Sequence, residues 1–139
     1  MILIDRVLAY DQTGAVAEVE IRPDAPFRQP QGVPSYVGIE YMAQTVAALA
    51  GLRGRERGEP PKIGFLLGTR KLVAKRGWFR DGERLVITVS VVFDDAAMGA
   101  FDGRIEIDGE IVLNGRLNVY QPTDTIGDIQ LGSAAPRIP

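Results

Sequence analysis

The sequence predicts an α+β fold in which a curled antiparallel sheet of five to six strands wraps one long central helix. Three observations carry this expectation. Residues 33–52 form one helical stretch that is apolar almost all round, a pattern that calls for burial. From Ile63 onward apolar and polar residues alternate, which is the period of a strand. One face of a flat sheet cannot cover such a helix, so the sheet must curl round it or a second subunit must cover the remainder.

Leu3 to Tyr10 and Ala15 to Ile21 are short β-like runs about the turn-rich Asp11-Gln12-Thr13-Gly14, and together they predict a hairpin. Residues 22–34 hold Pro23, Pro26, Pro30 and Pro34 with Gly32, a loop and not an element. Ser35 stands where an N-cap or first-turn residue belongs, and the helix is expected to run to about Leu52. Gly51, Gly54 and Gly58, with Pro60-Pro61, are read as its end. Leu85, Ile87, Val89, Val91 and Phe93 line one face of a long strand. Phe101 to Ile107 and Ile111 to Tyr120 are two more, joined by Asp108-Gly109, a type I′ hairpin signal. Asp81-Gly82 and Asp94-Asp95 mark further turns. The organisation is one domain over residues 1–121, followed by a flexible tail over 122–139 rich in Gly, Ser, Ala and Pro.

Composition removes whole classes of chemistry. The 139 residues contain no Cys and no His. Thiolate nucleophiles, Ser–His–Asp triads and His-bearing metal sites are therefore excluded, and with them the commonest general base. Scattered Asp and Glu without His spacing make no metal site, and neither a GK[ST] nor a G-x-G-x-x-G loop follows Gly64 and Gly68, so no cofactor is expected. No run of about 18 apolar residues spans a membrane, and Met1-Ile2-Leu3-Ile4 meets Asp5 too soon for a secretory leader. The expected location is cytoplasmic.

The net charge of −2 conceals an asymmetry. Residues 53–80 carry nine Lys or Arg (Arg53, Arg55, Arg57, Lys62, Arg70, Lys71, Lys75, Arg76, Arg80) against Glu56 and Glu59. Such a stretch is either a solvated face or a docking surface for an anionic partner. Aromatic residues do not interleave with the cations, which argues against nucleic acid.

On the helix, Glu40 and Gln44 lie four residues apart and share a face. A Glu on an apolar helix is paired, favoured by the helix dipole, or working. The residues themselves leave these readings open.

The chain resembles the hot-dog-fold 3-hydroxyacyl-[acyl-carrier-protein] dehydratases, most closely the aryl-polyene-type branch. Ile2-Leu3-Ile4-Asp5-Arg6-Val7 is similar to that family's opening strand. Pro34 to Gln44, with Glu40, Met42, Ala43 and Gln44, is similar to its central helix. Ile63-Gly64-Phe65-Leu66-Leu67-Gly68 is similar to the strand lining its acyl tunnel. In those enzymes the helix acid works with a His from the opposite subunit, which opens a His-Phe-Pro-Gly motif fourteen residues before the acid. Here that position is Pro26, in Pro26-Phe27-Arg28-Gln29. The acid carries over to Glu40; the His carries over to nothing.

The resemblance implies a fatty-acid-like or polyene-type pathway and a hydro-lyase, with Glu40 as acid/base and the Ser35 backbone N–H holding the thioester oxygen. Phe27, Tyr36, Gln44, Gly64 and Phe65 would contact the acyl group, with Asp24 and Arg28 as possible helpers. An acyl carrier protein or coenzyme A would deliver it, the carrier docking on Arg70, Lys71, Lys75 and Arg76. The expected assembly is a homodimer, or a higher oligomer or heterodimer with a paralogue, with no nucleic acid and no membrane. Two alternatives use the same residues: a His-independent acyl thioesterase, and a non-catalytic acyl-binding subunit paired with an active paralogue.

Overall fold

In the computed structural model, which describes residues 1–59, 64–95 and 97–121, the helix forms at the expected place and runs further. A 3₁₀ turn at Ser35–Val37 leads into α1, Gly38–Glu56. Gly51 and Gly54 do not stop it. It ends where Gly58, at φ 69°, donates its N–H to the Arg55 carbonyl while Glu59 N–H reaches back to Gly54. These two bonds form a Schellman cap, whose left-handed position favours glycine. Pro60-Pro61, Lys62, Ile63 and the tail expected over 122–139 lie outside the described residues.

The strands are β1 (Arg6–Tyr10), β2 (Gly14–Glu20), β3 (Val33–Pro34), β4 (Phe65–Ala74), β5 (Trp78–Phe79), β6 (Arg84–Asp94), β7 (Met98–Ile107) and β8 (Glu110–Tyr120). Six of them make one antiparallel sheet in the order β1-β2-β6-β7-β8-β4. β3 and β5 pair separately, so the proline-rich loop ends in a two-residue strand that its composition did not announce. Asp108 and Gly109 both take positive φ, 52° and 80°, as a type I′ turn requires. One α-helix against a six-stranded antiparallel sheet, among the described residues, is the hot-dog fold.

The helix lies across β2, β6 and β7, with β1 at its flank. Gly38, Tyr41, Met42, Thr45, Val46 and Leu49 are its buried residues, spaced three and four apart as one helical face demands. They meet Leu85, Ile87, Ile105, Leu113 and Leu117 in the core. Full burial of a side chain such as Met42 or Leu49 contributes about 1.5–3 kcal/mol. Two glycines let the layers approach. A Cβ on Gly38 would stand 2.5 Å from Leu113 Cδ2, and one on Gly103 2.6 Å from Met42 Sδ. Within one chain, however, the sheet covers one face of α1 only. Tyr36, Glu40, Ala47 and Gly51 are exposed on the other side.

Candidate active site on the open face of the helix

Because α1 turns its buried face to the sheet, residues 40, 43, 44, 47 and 50 come out on the side that the sheet leaves open. There they form one wall of a cleft of about 200 Å³. The opposite wall is Gly64 and Leu66 at the start of β4, with Val119 and Gln121 at the end of β8. The sequence places Glu40, Gln44 and Gly64 in the site, and the structure brings all three to this cleft. Val119 was recoverable from the alternation along β8, and Ala43, Ala47 and Ala50 from the helical spacing counted from Glu40.

Glu40 is the acid here. Glu18, Glu83 and Glu106 are each held by arginines, namely Arg6 and Arg84, Arg76, and Arg104. The Glu40 carboxylate is exposed and takes part in none of the ion pairs among the described residues.

Gln44 lines the cleft but is spoken for. Its Oε1 accepts from Leu3 N–H at 2.7 Å and from Ile4 N–H at 3.4 Å, and its Nε2 donates to the Met1 carbonyl at 2.7 Å. The side chain is a clamp on the N-terminal segment, its amide atoms committed to the backbone of Met1, Leu3 and Ile4. Thr45, one residue on, is buried and spends its hydroxyl on the Tyr41 carbonyl at 2.8 Å.

The expectation for the Ser35 amide is corrected. Its N–H donates to the Gly77 carbonyl at 2.8 Å, a bond between the start of the helix and the segment entering β5. The amide of Gly38 is satisfied within the turn, by the Ser35 carbonyl. Tyr36 N–H lies between them in the first turn, where helix geometry offers no intrahelical acceptor. Tyr36 as a whole is 67% exposed.

Phe27 and Phe65 are not part of the cleft wall. Phe27 is exposed and sits at φ 67°, an unusual conformation for a bulky residue. The loop carrying it is braced by Arg28, whose guanidinium grips Asp81 through two bonds of 2.8 and 2.7 Å. That grip holds the Asp81 carboxyl below its ordinary range and removes Arg28 as a helper. Asp24 is exposed on the same loop.

The cations of 53–80 do not make one patch. Arg53 pairs with Asp94 at 2.9 Å, Arg57 approaches Glu59 at 3.9 Å, and Arg76 is tied to Glu83 at 2.5 Å. Of the four expected to dock a carrier, Arg76 is therefore committed within the chain, whereas Arg70, Lys71 and Lys75 are exposed. Among the described residues no cluster of acidic side chains is arranged for a metal ion, and no helix is long and apolar enough to cross a membrane.

Comparison with known proteins identifies the family. Residues 1–130 match the family model ApeP-like, described as ApeP dehydratase. The chain is similar to the dehydratase heterocomplex ApeI:P from Xenorhabdus doucetiae, with 30% identity over 94% of this chain and 88% of that one, at a TM-score of 0.86. More distant likenesses show the fold alone. One is a mutant thioesterase from Pseudomonas aeruginosa, 16% identical over 85% of this chain and 80% of that one, TM-score 0.63. Another is a hypothetical thioesterase with coenzyme A from Streptococcus pneumoniae, 10% identical over 86% and 90%, TM-score 0.68. No match was found among the curated proteins. With a hot-dog fold, an open acidic cleft on its central helix and a family match over nearly its whole length, the chain belongs to the ApeP-like dehydratases.

Proposed function

We propose that this chain supplies the carboxyl half of a 3-hydroxyacyl thioester dehydratase, and that the base comes from a His-bearing hot-dog partner. The observation that carries the reading is Glu40 itself: an exposed acid in the cleft between the open face of α1 and the ends of β4 and β8, in no ion pair among the described residues. The relative from Xenorhabdus doucetiae is a heterocomplex, which supports a division of the site between unlike chains.

Removing water from a 3-hydroxyacyl thioester requires a base for the α-proton, a donor for the enolate-like oxygen and an acid for the leaving hydroxyl. Glu40 is assigned the last role: its carboxyl proton passes to the hydroxyl as the C–O bond breaks. Tyr36 N–H, at the positive end of the helix, is assigned the oxygen. The α-proton has no acceptor of the usual kind in a chain without His, so the partner's imidazole takes it. By the same logic Pro26, standing where the family's His motif opens, leaves the reciprocal centre without a base. Each heterodimer then holds one complete centre. The substrate arrives as a thioester of an acyl carrier protein or coenzyme A.

The test is incubation of this chain with a 3-hydroxyacyl carrier protein, alone and together with a His-bearing hot-dog dehydratase chain. Mass spectrometry follows loss of water and release of free acid. The chain alone should be silent, and the pair should dehydrate. Glu40→Gln, which keeps size and hydrogen bonding, should lower kcat of the pair by at least ~10²-fold. Unchanged turnover in that variant would remove Glu40 from the mechanism, and free acid in place of an enoyl product would turn the reading to hydrolysis.

A further inference from the structure

The face of the sheet turned away from α1 is polar, as one side of an antiparallel sheet commonly is, but its polar groups are gathered at one place. A Cβ on Gly103 of β7 would meet Met42 on the helix, and Ile105 is in the core. The alternation of a strand therefore sends Asp102 and Arg104 to the opposite face. In register with these two stand Ser90 and Thr88 on β6, and Arg116 and Asn114 on β8. The six make a grid of two rows, Ser90-Asp102-Arg116 and Thr88-Arg104-Asn114. Together with Lys71 they line a hollow of about 280 Å³.

Arg104 and Arg116 are diagonal neighbours on this grid, about 7–8 Å apart at the backbone, a spacing that long side chains bridge. Each is held by a carboxylate. Arg104 donates from Nε to Glu106 at 3.0 Å, and Arg116 donates to Asp102 from Nε at 2.9 Å and from Nη2 at 3.4 Å. These grips fix the guanidiniums and leave both terminal nitrogens of Arg104 and Nη1 of Arg116 without a partner among the described residues. Thr88, Ser90 and Asn114 enter no side-chain hydrogen bond among the described residues either, although Thr88 and Asn114 are half-buried. Lys71 reaches the rim through a bulge. Between the pairs Arg70–Arg116 and Val73–Asn114, β4 has two residues where β8 has Gly115 alone, and Lys71 takes φ 55°. Bulges of this kind re-aim a side chain.

We propose that this hollow binds the phosphate group of a small, hydroxyl-bearing phosphate monoester. Arg104 and Arg116 grip the group from the diagonal, Lys71 closes the rim, and the Thr88 and Ser90 hydroxyls with the Asn114 amide donate to the oxygens that remain. A phosphate monoester carries about −1.5 to −2 charges and three strong acceptor oxygens at neutral pH, so it engages both rows at once. A carboxylate, with two oxygens and one charge, satisfies one guanidinium fork. Asp102 is an acceptor among these donors, and it favours an organic part that carries hydroxyls over the bare anion. The cleft with Glu40 belongs to the helix side of the sheet. The ligand of this hollow is therefore not the thioester in the cleft, and the proposal does not rest on the function proposed above.

Amide NMR titrations with glycerol 3-phosphate, inorganic phosphate and glycerol test this. Glycerol 3-phosphate should bind with a Kd on the order of 1 mM or below. It should shift the amides of Thr88, Arg104 and Asn114 and leave those of Ala47 and Gly64 in the cleft unmoved. Inorganic phosphate should bind more weakly at the same amides, and glycerol should not bind. Arg104→Gln/Arg116→Gln should weaken the binding at least ~10-fold, and Lys71→Gln, at the rim, should weaken it by a smaller factor. Arg80→Gln removes an exposed cation outside the hollow and should change nothing, and circular dichroism should show all variants equally folded. Absence of shifts on the outer face at about 10 mM ligand overturns the proposal, as do shifts in the cleft instead, a double variant as tight as wild type, or an Arg80 variant as weak as the double one. Inorganic phosphate as tight as glycerol 3-phosphate overturns the role given to Asp102 and assigns the hollow to the free anion.

Discussion

The two faces of α1 are built by different rules. The sheet-facing side uses bulk: Tyr41, Met42, Val46 and Leu49, all buried. The open side uses small residues, Ala43, Ala47, Ala50, Gly51 and Gly54, around a single acid, Glu40. Both sides count as apolar on a hydropathy scale, yet one fills space and the other leaves it. The lesson is that side-chain volume, and not hydrophobicity, separates the packed face of this helix from the open one.

Two substitutions of similar size test that division. Met42→Ala, on a side chain with no exposure, should cost about 2–5 kcal/mol in urea unfolding, the usual range for emptying a core site. Ala47→Leu, on the open face, should stay within about 0.5 kcal/mol of wild type while filling the cleft and raising KM for the acyl thioester. Equal stability losses from the two would break the comparison.

A pH titration sharpens it. Burial, with a smaller contribution from the Asp5 charge, pushes the Tyr41 hydroxyl from 10.0 up to about 12. The neutral form is thus favoured in the folded state. The stability this contributes is fully present below pH 10 and is lost as pH rises from there through about 12. Tyr41→Phe should flatten that alkaline loss in denaturant midpoints measured across the same window, and an unchanged slope would show that Tyr41 does not cause it.

A local effect is expected at Gln44, on the boundary between the faces. Gln44→Ala removes the acceptor for Leu3 N–H and the donor to the Met1 carbonyl, so it should cost about 1 kcal/mol. It should leave the unfolding of the rest of the chain cooperative. A loss many times larger would mean that the clamp belongs to the core.

Much of the fold could be read from the residues alone. One long apolar helix among alternating strands, with Asp108-Gly109 as a hairpin turn, left few architectures to choose from. The cleft could be read in part, because Glu40 and Gln44 share a helical face by spacing. What could not be read depends on contacts distant in sequence. The bond from Ser35 N–H to Gly77 joins residues on either side of the helix, and Gln44's hold on Met1, Leu3 and Ile4 spans about forty positions. The place of β4 at the end of the sheet order was hidden too: alternation marks Phe65–Ala74 as a strand without saying whether one neighbour or two will pair with it. The helix end was misread because a glycine inside a helix and a glycine that stops one look the same until the φ of Gly58 is known.

The Gln44 clamp has a practical consequence for following the protein in solution. The Leu3 amide exchanges its proton with solvent only when its 2.7 Å bond to Oε1 opens, and Gln44 stands one helical turn after Glu40. The exchange rate of a single amide near the chain terminus therefore reports on the order of the helix wall beside the acid, with no substrate or chromophore required. A fusion tag at the N-terminus would pull on the same bond, so tags are best kept at the other end.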